Sequence, residues 1–511
     1  MFQNFRKLNP QGMWSDRKEG DQPAAFYKKY DTEKSGLILV GLQDQVRTAN
    51  EATGVTVCAA DIFQGKRHIK LICKNAVASR PAPTSGVTGR FTSPKSLFVQ
   101  ILSKLIFLSL VVFPNSAYAD RRLSELYHEK QCFDLRDSIK NAAGLSPDEL
   151  FYRAVVANQF NQPRLSIALL QRFLKQQRDA TITVEAYQLL VDDYRKLFQY
   201  GRAARVLMRL IYQFGNTWDA EKKEDAENEL RLCSALANIA PQTTTFHGDS
   251  IVLRDGEGRY PMSINGVPVS LALDSGANIS VITSSMARSL RLQLINASVD
   301  VGAFAGNKVK SKLAVARDLK IGRVVVRNAV FLVFEDKDLF VTDANFQING
   351  LIGFPVIASF REMTFVQGES MILPMTTNKK AEQNMCLDRQ LPLVAAQFKG
   401  AHLTFVLDTG ATASVLFPSF FRKYETEIKQ RYPAYNETIR GVGGQREING
   451  YLAKDLVFTI GGQSVRLTHV PVLTEETNEN SRYFDGNLGQ DVVNQFKRMT
   501  LNFETMSVTF K

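Results

Sequence analysis

One stretch of this sequence occurs twice, and that repetition limits the fold more than any other feature. Met262–Ile282 (MSINGVPVSLALDSGANISVI) aligns without gaps with Ala396–Leu416 (AQFKGAHLTFVLDTGATASVL), placing Gly266 over Gly400 and Asp274 over Asp408, both 134 residues apart. Farther on, NGLIG (Asn349–Gly353) returns as DGNLG (Asp485–Gly489), 136 residues later. Two matches in the same order indicate an internal duplication, each copy large enough for a small β-barrel lobe but carrying a half-site at most. From Ile251 onward, short β-branched and aromatic runs are punctuated by Gly and Asn, the texture of all-β architecture. We expect a first lobe over residues 258–375 and a second over 388–511.

Within the duplication the pattern D-[ST]-G-A-x-x-S-V-[IL] stands twice. An apolar strand, LAL before Asp274 and FVL before Asp408, delivers a carboxylate into a tight turn. Gly276 and Gly410 let the backbone pass close to a partner lobe. The hydroxyls of Ser275 and Thr409 are placed to hydrogen-bond across a pseudo-twofold axis. A lone Asp-Thr-Gly is common by chance, whereas two copies, each behind a strand and ahead of an apolar-Gly element, call for a site. Two carboxylates held together cannot both ionise cheaply, so they share a proton, and one can act as base while the other acts as acid.

These residues resemble the retropepsin-like aspartic peptidases, and two copies in one chain resemble the bilobed plan of pepsin. The likeness spans roughly residues 258–511. It implies an endopeptidase in which Asp274 and Asp408 jointly activate a water, with no metal, cofactor or covalent intermediate. It also implies that Gly350-Leu351-Ile352-Gly353 and Gly486-Asn487-Leu488-Gly489 pack behind the catalytic turns, Asn487 departing from the apolar residue the pattern calls for. The ending DVVNQFKRMTLNFETMSVTF resembles the family's closing helix and strands. Two Gly-rich segments occupy equivalent places as substrate-covering flaps: GAFAGNK, with Gly302, Ala305 and Gly306, and RGVGGQR, with Gly441, Val442, Gly443 and Gly444. Ordinary hairpin turns are the alternative for both.

Ahead of the duplication the texture differs. Residues 120–240 are poor in Gly and Pro, with apolar residues at helical spacing, as in Leu165, Ala168, Leu169 and Phe173, then Leu189, Leu190, Tyr194 and Phe198. The fold class is therefore multidomain, an all-α region followed by an all-β bilobed one. Ala168 inside SIALLQRFL recurs as Ala203 inside GRAARVLMRLI, about 35 residues on, near the period of tetratricopeptide repeats. A plain helical bundle is the alternative, and either could bind a protein partner. EKKEDAENE (Glu221–Glu229) reads as a solvated helix face. Residues 241–257 read as a linker, Pro241–Ser250 being polar and periodless.

The formal net charge is +12, yet residues 1–119 hold 16 Lys and Arg against 8 Asp and Glu, leaving 47 against 43, or +4, for the rest. A surplus confined to the front removes the case for a nucleic-acid partner. Within residues 95–119, Lys95 and Lys104 precede the apolar run Leu105–Phe113 (LIFLSLVVF), then Pro114 and Ala117-Tyr118-Ala119. That order is signal-peptide grammar, with cleavage after Ala119 and export to a bacterial periplasm or envelope. An uncleaved membrane anchor or a buried segment is the alternative. Residues 1–94 form no legible motif and read as an over-extended gene start.

Of five cysteines, only Cys132, Cys233 and Cys386 would survive that cleavage, and Cys132 with Cys233 either pair or stay buried free thiols. The histidines, His68, His128, His247, His402 and His469, lack metal-ligand spacing, and no G-x-S-x-G motif occurs. Three functions stay open: a monomeric endopeptidase acting on protein or peptide, a catalytically silent peptide-binding scaffold on the same fold, and a helical binding protein whose peptidase cuts only itself near Thr243.

Overall fold

The computed structural model describes residues 114–140, 147–176, 180–302, 308–341, 345–367, 369–441 and 444–511. The apolar run 105–113 and the front of the chain lie outside them. Helices come first: α1 (Pro114–His128), α2 (Cys132–Lys140), α3 (Pro147–Gln159), α4 (Pro163–Gln176), α5 (Ala180–Lys196), α6 (Tyr200–Phe214) and α7 (Ala220–Ala235). Proline opens α3 and α4, where its missing N–H costs nothing. Asp219 caps α7 by accepting from Lys222 N at 2.7 Å.

The buried positions repeat. Leu150, Ala154 and Ala157 on α3 match Tyr187, Val191 and Tyr194 on α5, while Ser166, Leu170 and Phe173 on α4 match Ala203, Leu207 and Leu210 on α6. Each pair is 37 residues apart (187 − 150, 203 − 166), as are the left-handed residues Asn161 and Phe198 that separate the helices. This corrects the expected register. Ala168 is exposed, and Ser166 is the residue that stands in for Ala203.

The rest of the chain is β-rich. The strands of its first half are β1 (Thr243–Phe246), β2 (Ser250–Leu253), β3 (Tyr260–Ile264), β4 (Val267–Asp274), β5 (Ser280–Thr283), β6 (Gln293–Gly302), β7 (Lys308–Ile321), β8 (Val324–Phe334), β9 (Phe340–Val341), β10 (Phe346–Gln347), β11 (Gly350–Gly353), β12 (Glu362–Val366) and β13 (Ser370–Leu373). Those of the second are β14 (Met385–Asp388), β15 (Leu391–Phe398), β16 (Ala401–Leu407), β17 (Val415–Leu416), β18 (Ala434–Gly441), β19 (Gly444–Ile460), β20 (Gln463–Leu473), β21 (Gly486–Leu488), β22 (Arg498–Asn502) and β23 (Ser507–Phe510).

Two eight-stranded sheets result, β1-β8-β5-β11-β4-β3-β7-β6 and β14-β15-β16-β21-β17-β20-β19-β18, each folded back on itself by an extra pairing, β8–β7 or β15–β19. They share a plan. β4 runs parallel to β11 and β5 parallel to β8, just as β16 runs parallel to β21 and β17 to β20. A five-stranded sheet, β2-β13-β12-β22-β23, joins strands from both halves, and the chain's closing segment supplies two of them after the short helix Gln490–Val493.

Residues 241–257 are not a loose linker. β1 pairs with β8, Thr243 opposite Arg327, and β2 pairs with β13. The cysteine expectation is corrected too: Cys132 bonds to Cys386, with Cα atoms 6.7 Å apart, and Cys233 is a free, buried thiol on α7. Cys132 sits at the start of α2, facing the second sheet, where Lys130 Nζ meets Asp388 at 2.8 Å and Arg136 donates to Gln383 O at 2.6 Å. The helical region thus docks on the β-rich region by specific polar contacts. Among the described residues no helix is long and apolar enough to cross a membrane.

Candidate active site

The site is assembled by two turns that grip each other. Ser275 N donates to Thr409 Oγ1 at 3.1 Å and Thr409 N donates to Ser275 Oγ at 3.0 Å. Each hydroxyl then donates onward, Ser275 Oγ to Leu407 O at 2.7 Å and Thr409 Oγ1 to Leu273 O at 2.9 Å. All four groups are buried, so each turn satisfies polar atoms the other could not leave bare.

The strands behind the turns fix their position. Gly353 N donates to Ser280 Oγ and Gly489 N to Ser414 Oγ, both at 3.0 Å, while Phe354 N and Gln490 N donate to Ala277 O and Ala411 O, both at 2.8 Å. A Cβ on Gly353 would lie 2.6 Å from Ile279 C, and one on Gly489 2.8 Å from Ala411 O, so only glycine lets these strands come so near.

Asp274 and Asp408 emerge from this frame facing each other. Gly276 N donates to Asp274 Oδ1 at 2.8 Å; Gly410 N and Ala411 N donate to Asp408 Oδ1 at 2.9 and 3.1 Å. The glycines sit against the opposite carboxyl: a Cβ on Gly276 would be 2.9 Å from Asp408 Cγ, and one on Gly410 2.5 Å from Asp274 Cγ. Asp274 is 1% exposed and Asp408 7%. Burial, and then the charge of Asp408, pushes the Asp274 carboxyl well above the usual carboxylate range. Two carboxyls thus stand side by side, close enough to interact.

A cleft of about 960 Å³ opens on Asp408 and Gly276. Its walls include Asn278, Ile279 and Phe417 from the β-rich region and Leu207, Trp218 and Glu229 from the helical region. Residues 260–356 and 394–492 each match the family model described as aspartyl protease. Over these two segments the fold matches that family. Among solved structures, a retropepsin-like aspartic protease from Rickettsia conorii aligns at 18% identity over 26% of this chain and 95% of its own, with a TM-score of 0.18. No curated protein matches the chain.

The structure thus brings Asp274, Ser275, Gly276, Asp408, Thr409 and Gly410 together. Gly302 pairs with Lys308 at the end of the β6–β7 hairpin and lines the cleft; Ala305 and Gly306 lie outside the described residues. Gly441 pairs with Gly444 at the end of the β18–β19 hairpin, and Val442 and Gly443 likewise lie outside.

Sequence reasoning missed four contributors. Ser280 and Ser414 were visible as the invariant Ser of the repeated pattern, yet their task, receiving an N–H from the strand behind, needs the fold. Gln490 Nε2 donates to Thr409 O at 2.6 Å and has phenylalanine, Phe354, as its counterpart, so the repeat gives no signal for it. Asn487 was visible only as a departure from an apolar pattern.

Proposed function

We propose that the chain is an aspartic endopeptidase in which Asp274 and Asp408 activate a water between them. The observation that carries this is the pair of facing carboxyls, each cradled by its own turn's N–H groups and locked by the reciprocal Ser275 and Thr409 bonds. The ionised member takes a proton from the water as it attacks the peptide carbonyl. The neutral member donates to the developing oxyanion, and the roles exchange as the amine leaves, so they belong to the pair. The rigid frame supplies orientation without a conformational cost at the moment of reaction.

On this reading the two sheets are the lobes of a bilobed peptidase, complete within one chain and therefore active as a monomer. The helical region is tetratricopeptide-like and holds a protein substrate or partner; its 37-residue recurrence of buried positions (203 − 166) supports a repeat over a plain bundle. Cross-links from substrate trapped on Asp408→Asn protein should map to α4–α7, and their absence there would remove this role. Export with cleavage after Ala119 is supported by the ordered basic, apolar and A-x-A elements and by the Cys132–Cys386 bond, which suits an oxidising compartment. N-terminal sequencing from the native host should return Asp120; an intact apolar run in a membrane fraction would make it an anchor.

Digestion of an unbiased peptide library tests the central claim. Wild type should cut, and Asp274→Asn and Asp408→Asn should each remain folded and inert. Activity that disappears on dilution would contradict the monomer. A wild type that binds peptides and cuts none would be a scaffold instead.

A further inference from the structure

At one buried strand position the two halves of the site differ in polarity. Leu351 lies beside Ala272 on β4, and Asn487 lies beside Val406 on β16, each partner two residues before its aspartate. Both side chains are 2% exposed. A buried carboxamide where the duplicate copy keeps leucine is costly unless its hydrogen bonds are used.

One use is visible. Asn487 Nδ2 donates to Asp408 Oδ2 at 3.3 Å. Asp408 therefore receives donors on both oxygens, Gly410 N and Ala411 N on Oδ1 and Asn487 on Oδ2. Asp274 receives Gly276 N on Oδ1, while its Oδ2 is buried with no hydrogen-bond donor, and Leu351 can supply none. Donors favour the charged form of a carboxyl, and an oxygen without one favours carrying the proton itself.

We propose that Asn487 is a positioning residue that makes Asp408 the ionised member of the pair and leaves the shared proton on Asp274. The inference rests on the peptidase reading for its catalytic meaning but not for its chemistry. The raised Asp274 carboxyl agrees with it. Of the charged groups on the elements around the turn, Asp485 is held by Lys423 at 2.6 Å, Asp491 by Ser414 at 2.7 Å and Asp388 by Lys130 at 2.8 Å, while Arg195, Glu229, Arg389 and Glu479 line the same cleft. The duplication has thus diverged at one strand position, which fixes which half begins the cycle as base.

The test uses the full chain labelled with carbon-13 aspartate, titrated by NMR and assigned with Asp274→Asn and Asp408→Asn. In wild type the first carboxyl of the pair to ionise should be Asp408; Asp274 ionising first overturns the proposal. In Asn487→Leu that first step should move up by about one pH unit or more, and the acidic limb of kcat/KM with it. Asn487→Ser, too short to reach, takes its place should leucine not fold. An unmoved first ionisation in a folded variant overturns the proposal. A wild type without turnover but with the expected titration sinks only the peptidase reading, and normal turnover with an unmoved limb sinks only the role of Asn487.

Discussion

The carboxamide of Asn228 and the main chain of Asp300 exchange two hydrogen bonds, 2.6 Å from Nδ2 to Asp300 O and 2.9 Å from Asp300 N to Oδ1, as a neighbouring strand would. Asp300 lies on β6, the edge of the first sheet, so α7 closes an edge that would otherwise expose unpaired backbone. Arg231 adds an ion pair to the Asp300 carboxylate at 2.9 Å, and Lys308 on β7 reaches Asp225 at 3.1 Å. The stem of this hairpin lines the cleft, so a helix is tied to one wall of the site.

Asn228→Ala should therefore free that edge. We expect faster hydrogen exchange at the Asp300 amide, a stability loss of about 1–3 kcal/mol and a raised KM with kcat little changed. Exchange at wild-type rate would show that the contact does not hold the strand.

Gly410→Ala should abolish hydrolysis while sparing the fold. Its Cβ would lie 2.5 Å from Asp274 Cγ, and neither turn can retreat without breaking the Ser275 and Thr409 bonds. A displaced carboxyl should cost about a hundredfold or more in kcat/KM, read with a library-derived peptide. An active alanine variant would mean the turns are looser than these contacts imply.

Cys132, Cys386 and Cys233 are all buried, so the native fold should shield the bond and the free thiol alike. The bond closes a span of 254 residues, and its loss should remove up to about 5 kcal/mol by the chain-entropy relation, seen as a lower Tm. Burial pushes the Cys233 thiol up to about 12, which keeps it unreactive in the folded protein. Mass spectrometry after iodoacetamide should show none of Cys132, Cys233 and Cys386 modified in the native fold, with or without reductant, and all three modified once the reduced protein is unfolded.

The helical region should weaken as pH rises. Asp193 is fully buried, with Oδ1 accepting from Asn158 Nδ2 at 2.8 Å, and burial pushes its carboxyl from 3.8 up to about 7. The folded state keeps a proton that the unfolded chain releases, so this stability is complete below 3.8 and lost as pH passes through about 7. The full effect is at most about 4 kcal/mol. Asp193→Asn should flatten the slope and exceed wild type in Tm near pH ~8; an unchanged slope would place the proton elsewhere.

The duplication was legible because a turn delivering a carboxylate is a local event. Asp274 and Asp408 follow their strands by the same step, and the same nine-residue pattern records both. What escaped the sequence is non-local. TTTF and SIVL become β1 and β2 only because Val324–Arg327 and Ser370–Leu373 lie ready to pair, which four-residue strands cannot announce. Cysteine spacing carries no connectivity, so Cys386 stayed hidden as the partner of Cys132. In EKKEDAENE the charges mark an exposed face only over Glu221–Asp225, and they concealed Asn228, whose contact with β6 depends on how α7 docks. Asn487 looked like a flaw in an apolar pattern, since only the fold shows the carboxylate it meets.

The five-stranded sheet also sets a timetable. β12, near the end of the first half, takes β22 as its neighbour from Glu362 opposite Asn502 to Val366 opposite Arg498. During synthesis, then, both aspartates have been made while the strand that joins their halves is still to come. A chain that ends before Arg498 therefore holds both aspartates without the strand that pairs with β12 across the two halves. A chain stopped before Arg498 should contain both aspartates and hydrolyse nothing, and cutting by such a fragment would show that the two turns can clasp unaided.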